Sequence, residues 1–215
     1  MTVLNKESAS VIKQEETIKN TEYGVVKTVS TDDIPVIDIS RYLSGEGIEE
    51  VALQILDAVT HKGFFYVSNH GIPQEVIDTA SKGMRDFFDK AAELKNEAPV
   101  NTSQRGWLGP GMATLKGAKT HDLKEIFFWG PEQWTPALNT KRAQFPLIAD
   151  NVWPDQESPE LKKTLLPYYD QACEVGHKIL AAIALALGLE EDFFAKRYET
   201  PMARGQLVYY PVSTD

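Results

Sequence analysis

The chain has 215 residues, of which 42% are hydrophobic, 25% charged and 10% aromatic; these proportions exclude collagen-like, coiled-coil and wholly disordered chains. Its 22 basic and 31 acidic residues leave a formal net charge of -9, the wrong sign for a protein whose main work is gripping nucleic-acid phosphates. The single cysteine, Cys173, allows no intrachain disulfide and points to a cytoplasmic, reducing setting, while the longest apolar run, Ile179 to Leu187, is too short to cross a bilayer.

Residues 1–33 are rich in Lys, Glu, Ser and Thr without a sustained period, and read as a flexible arm. Ile34-Pro-Val-Ile-Asp-Ile-Ser40 predicts a first strand. Ile48, Val51, Ala52, Ile55, Leu56 and Val59 share one face of a helix that should stop at Gly63. Phe64 to Ser68 predicts a buried strand, and Asn69-His-Gly71 its turn. A second helix, opened by Pro73, carries Val76, Ile77, Ala80, Met84, Phe87 and Phe88 on one face. Residues 96–120 have no period and hold Gly106, Gly109, Pro110, Gly111 and Gly117, which predicts a long loop. Asp122 to Gly130 predicts a strand, and residues 131–158 a surface chain punctuated by Pro and Trp. Ser158 and Pro159 should cap and open a long helix that Pro167 kinks or splits and Gly188 stops. A short helix near Glu191 to Tyr198 and a last strand, Gln206 to Val212, complete the pattern.

None of the four histidines is followed by the x-Asp or x-Glu of a two-His, one-carboxylate iron site. Cys-x-x-Cys, His-Glu-x-x-His, Gly-x-Gly-x-x-Gly and Gly-x-Ser-x-Gly are all missing. No complete catalytic site therefore follows from the residues alone. His70 reads as a turn residue bonded to backbone, and Cys173 as a buried structural thiol. His121 beside Asp122 reads poorly as an acid-base pair, because strand neighbours face opposite ways. Arg105, in a glycine-rich stretch beside Trp107, suits a substrate carboxylate or a tie to a surface Asp or Glu. Trp107 reads as a pocket wall or as an anchor for the loop. One of Tyr209 and Tyr210 should face a core or cavity and the other should face out.

The order of segments resembles a known family. Ile34 to Ser40, Gly63-Phe-Phe-Tyr-Val-Ser-Asn-His-Gly-Ile-Pro73 and Arg85-Asp-Phe-Phe88 resemble the N-terminal region of the isopenicillin N synthase-like oxygenases. These belong to the Fe(II)/2-oxoglutarate-dependent dioxygenase superfamily. The resemblance continues through Arg105-Gly-Trp107, Asp122-Leu-Lys-Glu-Ile-Phe-Phe-Trp-Gly130, Asn151-Val-Trp-Pro154, Leu185 to Leu189, Asp192-Phe-Phe194 and Tyr210-Pro211. It implies an α+β chain: a dioxygenase N-terminal domain over 34–155, then over 156–215 the backing helix and first strand of a double-stranded β-helix, a jelly roll left incomplete here. It also implies an oxidoreductase that uses Fe(II) and 2-oxoglutarate to hydroxylate, desaturate or cyclise a small organic substrate.

In this family the iron ligands and the Arg-x-Ser that holds 2-oxoglutarate lie downstream of the Tyr-Pro element. No residue of this chain matches them. The resemblance therefore assigns no catalytic residue and no metal ligand here. It predicts that neither cofactor binds this chain and that it is inactive by itself. It makes Tyr210 a cosubstrate contact and places Arg105 and Trp107 at the mouth of the substrate site; Lys116 and Lys119 follow in the same segment. The competing expectation is a non-catalytic binding protein, or a remnant that pairs with a separate chain.

Overall fold

The computed structural model describes residues 34–112, 122–198 and 201–212. The predicted arm over 1–33, His121, Lys116 and Lys119 lie outside the described residues. The elements run β1 (Val36–Asp38), α1 (Ser40–Leu43), α2 (Ile48–His61), β2 (Tyr66–Ser68), α3 (Gln74–Phe88) and α4 (Ala92–Lys95). They continue with β3 (Gly106–Leu108), β4 (Glu125–Trp129), α5 (Pro136–Asn139), α6 (Pro159–Ala186) and β5 (Gly205–Tyr209). A 3-10 turn, Ala195–Arg197, stands where the short helix is predicted.

Two sheets result. β1 and β2 pair in parallel, Ile37 against Val67, while β3, β4 and β5 form an antiparallel sheet with β4 in the middle. β4 is buried at all five positions because it is covered along both edges. The strand from Phe64 is shorter and less buried than its composition predicts. Phe64 and Tyr66 stand 58% and 60% exposed, because a two-stranded sheet leaves one face to solvent.

α6 organises both cores. It runs unbroken for 28 residues, so Pro167 neither splits it nor ends it. At 1.5 Å per residue it extends roughly 42 Å. Its first half packs Leu161 and Leu165 with Phe87, Phe88, Phe127 and Trp153. Its second half packs Ala182 with Ile37, Ile39, Val51, Ile55 and Ala58. Burial on both sides of Pro167 offsets the roughly 3 kcal/mol cost of an interior proline. Ser158 occupies the N-cap but makes no side-chain cap bond, contrary to the sequence expectation.

The long loop predicted over 96–120 contains a strand. Trp107 N–H donates to Ala98 O at 2.7 Å and Val100 N–H to Trp107 O at 2.7 Å, which fixes β3 beside the chain leaving α4. Gly106 makes this possible. Its φ is +98°, and a Cβ would lie 2.6 Å from Ala98 O. The 131–158 stretch is also more than surface chain, since Trp134, Ile148 and Trp153 are buried. Asn151 ties it down by accepting from Gly130 N–H at 2.7 Å and donating to Gly130 O at 2.8 Å.

Candidate functional site

Alternation sorts the three-stranded sheet into two faces. Trp107, Phe127, Trp129, Leu207 and Tyr209 look toward α3 and α6, where Tyr209 stacks on Phe88 at 5.2 Å. The opposite face carries Ile126 across from Val208 and Phe128 across from Gln206. Toward its end this face opens, with Val208 at 37% and Tyr210 at 70% exposure. Of the two tyrosines expected to split, Tyr209 faces inward and Tyr210 outward. Lys124, one residue before β4, pairs with Asp122 at 2.6 Å. The hydrogen bond to Asp122 raises the Lys124 pKa, against a smaller opposing effect of burial. At the other end, the Arg204 guanidinium lies 5.1 Å from the centre of the Phe128 ring.

Arg105 immediately precedes β3. Its side chain is 2% exposed. Nη1 donates to the carbonyls of Ser103 and Gln104 at 3.2 and 3.0 Å, and Nη2 donates to Leu147 O at 2.8 Å. The guanidinium lies against Gly130, where a Cβ would come within 2.6 Å of Nη2. A tie to a surface Asp or Glu is therefore not what forms. The donors go to backbone carbonyls instead, because the residue is buried where the 131–151 chain crosses it. Burial, with Arg204 nearby, lowers its pKa. Nε has no hydrogen-bond partner among the described residues.

Trp107 is 5% exposed and acts as an anchor. Its indole N–H donates to Glu125 Oε2 at 2.8 Å. Lys95 Nζ reaches the same oxygen at 2.7 Å and donates to Phe88 O at 2.9 Å. Lys95 also lies 5.4 Å from the centre of the Trp107 ring. Neither Lys95 nor Glu125 stands out from composition alone. The trace in the sequence is an acidic residue inside the apolar run Glu125-Ile-Phe-Phe-Trp129, where burial demands a partner.

An open cavity of about 830 Å³ lies between α6 and the approach to β5, walled by Trp129, Tyr169, Cys173, Gly176, Arg204 and Leu207 among others. Tyr169 O–H donates to Ala203 O at 2.9 Å. Burial raises the pKa of Tyr169, and Cys173 adds to the shift. Cys173 is half-buried on the cavity wall rather than enclosed, and burial raises its pKa too.

The histidines among the described residues do not converge. His61 is bound to Asp57 on the surface of α2, His70 Nδ1 accepts from Ile72 N–H at 3.1 Å, and His177 lies on α6. Among the described residues no three His, Cys, Asp or Glu side chains stand close enough to hold a metal ion. These described residues do not fit an iron site. No helix among them is long and apolar enough to cross a membrane.

Residues 34–156 match the family described as "non-haem dioxygenase in morphine synthesis N-terminal". The chain belongs to this family, within the 2-oxoglutarate-Fe(II) dioxygenase superfamily. A Dictyostelium discoideum protein named "Probable iron/ascorbate oxidoreductase" is 30% identical over 206 residues, which cover 86% of this chain and 54% of that protein. A Caulobacter crescentus protein of the 2OG-Fe(II) oxygenase family superposes with a TM-score of 0.71 at 31% identity, covering 83% of this chain and 56% of its own. A full-length Neurospora crassa protein, solved in complex with alpha-KG, superposes with a TM-score of 0.69 at 26% identity over 85% and 56% of the two chains. The chain spans about half the length of the curated relatives it matches. Its described residues are α+β and form no closed barrel. Fe(II) and 2-oxoglutarate are the cofactors expected of a full-length member.

Proposed function

We propose that this chain is the N-terminal part and opening core strand of an Fe(II)- and 2-oxoglutarate-dependent oxidoreductase. The oxidoreductase hydroxylates, desaturates or cyclises a small organic substrate in the cytoplasm. The observation that carries this is the β3–β4–β5 sheet, packed against α3 and α6 on one face and carrying exposed Gln206, Val208 and Tyr210 on the other. A jelly-roll wall has this two-sided character, with one face backed and the other turned toward a substrate. Tyr210 offers its phenol on that open face as a hydrogen-bond donor to cosubstrate or substrate. Arg105 and Trp107 support the substrate mouth by fixing the base of the segment that follows them.

Taken alone, the chain binds neither iron nor 2-oxoglutarate and turns nothing over; what supports this is that no residue of it matches the family's His-x-Asp, distal His and Arg-x-Ser. The test is to read the coding sequence and transcript past codon 215 and to assay the encoded product for succinate formed from 2-oxoglutarate. In-frame His-x-Asp, a distal His and Arg-x-Ser, with succinate formed, is the expected result. A stop codon, a soluble product and no succinate would overturn the reading. A tight stoichiometric Fe(II) site in the purified 215-residue chain would overturn the statement that it is inactive alone.

A further inference from the structure

We propose that Arg204 anchors a carboxylate of the substrate, which makes the substrate an organic acid with an apolar body. The proposal rests on the reading above and adds the chemical class of the substrate and the side chain that selects it.

The face of the sheet turned away from α6 is cationic at one end and apolar along its middle. β5 and its flanks alternate, with Arg204, Gln206, Val208 and Tyr210 exposed and the residues between them half-buried. Gln206 lies across from Phe128 and Val208 across from Ile126. Arg204, two residues before Gln206, shares their face, and its guanidinium lies 5.1 Å from the centre of the Phe128 ring. Attraction to a ring uses none of the N–H donors, so the planar fork stays free for a carboxylate.

Arg105 brings a second positive charge to the same end. Gly130 stands one step past the Trp129–Gly205 pair, beside Arg204. A Cβ there would lie 2.6 Å from Arg105 Nη2 and 3.2 Å from Nε. Nη1 and Nη2 are spent on carbonyls, whereas Nε is buried without a partner among the described residues. Arg204 is near enough to add to the effect of burial in lowering the Arg105 pKa. Among the described residues neither arginine has an acidic side chain within ion-pair distance. An anion placed at this end is attracted by both charges. The other end differs, since Lys124 already holds Asp122 at 2.6 Å.

Ile126, Phe128 and Val208 lie between the two ends and suit an apolar body. Tyr210 stands six residues beyond Arg204, roughly 20 Å along the strand. Arg204 is therefore well removed from the place where Tyr210 would meet the cosubstrate. The net charge of -9 disfavours anions over the chain as a whole, so a preference for an acid is a local property.

The experiment titrates the 215-residue chain with phenylacetate and with methyl phenylacetate. NMR follows the Arg204 side-chain N–H resonance, assigned with Arg204→Gln, and the indole resonances. Phenylacetate should shift the Arg204 resonance, and the ester should bind about tenfold more weakly, the worth of one charge-assisted hydrogen bond. Arg204→Gln should bind acid and ester alike, and Arg204→Lys should recover part of the preference. Lys82→Gln, on the exposed face of α3, should bind as the parent does. Thermal melts check that each variant is folded. Acid and ester binding alike or not at all, or an acid preference that survives Arg204→Gln, overturns the anchor. Phenyl phosphate binding more tightly than phenylacetate overturns the choice of a carboxylate. Displacement of phenylacetate by equimolar 2-oxoglutarate overturns the assignment to substrate. No succinate from the longer product, with the acid preference intact, refutes the oxygenase reading and leaves the anchor standing. Succinate from the longer product, with no acid preference at Arg204, does the reverse.

Discussion

The Trp107 indole N–H and the Lys95 ammonium meet at one oxygen, Oε2 of Glu125, from 2.8 and 2.7 Å. Both charged side chains are less than a tenth exposed. Removing one partner of a buried pair strands the other, at about 3–5 kcal/mol. Glu125→Gln keeps the shape and an oxygen for the indole but leaves Lys95 charged and unpaired. It should lower stability by about 3 kcal/mol, read from the denaturant midpoint at constant slope. Adding Lys95→Met should recover much of that loss. A single variant within about 0.5 kcal/mol of the parent, on the scale of surface changes, would contradict this account.

Arg105 spends its donors on three carbonyls, those of Ser103, Gln104 and Leu147. A lysine cannot reproduce that fork. Arg105→Lys should cost about 1–3 kcal/mol, the penalty of leaving buried groups unsatisfied. Hydrogen exchange should speed up around Gly130 and Leu147 before it does in α2. Uniform loss of protection, or none, would speak against a local staple.

A Cβ at Gly205 would run into the Trp129 indole. Gly205→Ala should therefore destabilise by about 1–3 kcal/mol through overpacking. Gly176→Ala, on open space in a helix, should be neutral or stabilising. Thermal melts of the two variants side by side test the contrast.

Glu132 supplies a pH dependence. Burial raises its pKa, but hydrogen bonds from Asn151, Lys162 and Trp153 outweigh this and hold it below the ordinary glutamate range. A depressed carboxylate stabilises the fold above its unfolded pKa and loses that contribution as pH falls through the folded value. Stability should therefore decline below about pH 4.3, the ordinary glutamate pKa, and Glu132→Gln should flatten that part of the curve. A parent and variant with parallel profiles between about pH 5 and about pH 3 would refute the assignment.

Tyr210 is 70% exposed, so its hydroxyl does little for the fold. Tyr210→Phe should change stability by less than about 0.5 kcal/mol. In a succinate-forming product it should raise KM for 2-oxoglutarate or substrate. An unchanged KM for both would remove Tyr210 from the site.

Periodic segments were legible in the sequence because burial on one face writes a repeat into it. The apolar face of α2 and that of α3 are examples. β3 was hidden, since three residues beginning with glycine make no pattern and its partners lie far along the chain. The exposure of Phe64 and Tyr66 was equally hidden, because aromatic composition does not say how many strands will cover a sheet. Arg105 and Trp107 stand out in the sequence as an Arg and a Trp in a glycine-rich stretch, but their buried partners, Leu147 and Glu125, depend on chain crossings that no local pattern records.

The reach of α6 across both cores has a consequence for biosynthesis. Ile37 and Ile55 are made early, yet the Ala182 that closes their cluster is made more than a hundred residues later. At ribosomal speeds of about 5–20 residues per second, that interval is on the order of ten seconds. During it the nascent N-terminal hydrophobics have no helix to close over them. Protection by a chaperone should matter most in that window, and rare codons between β2 and α6 should lower soluble yield without altering the finished fold.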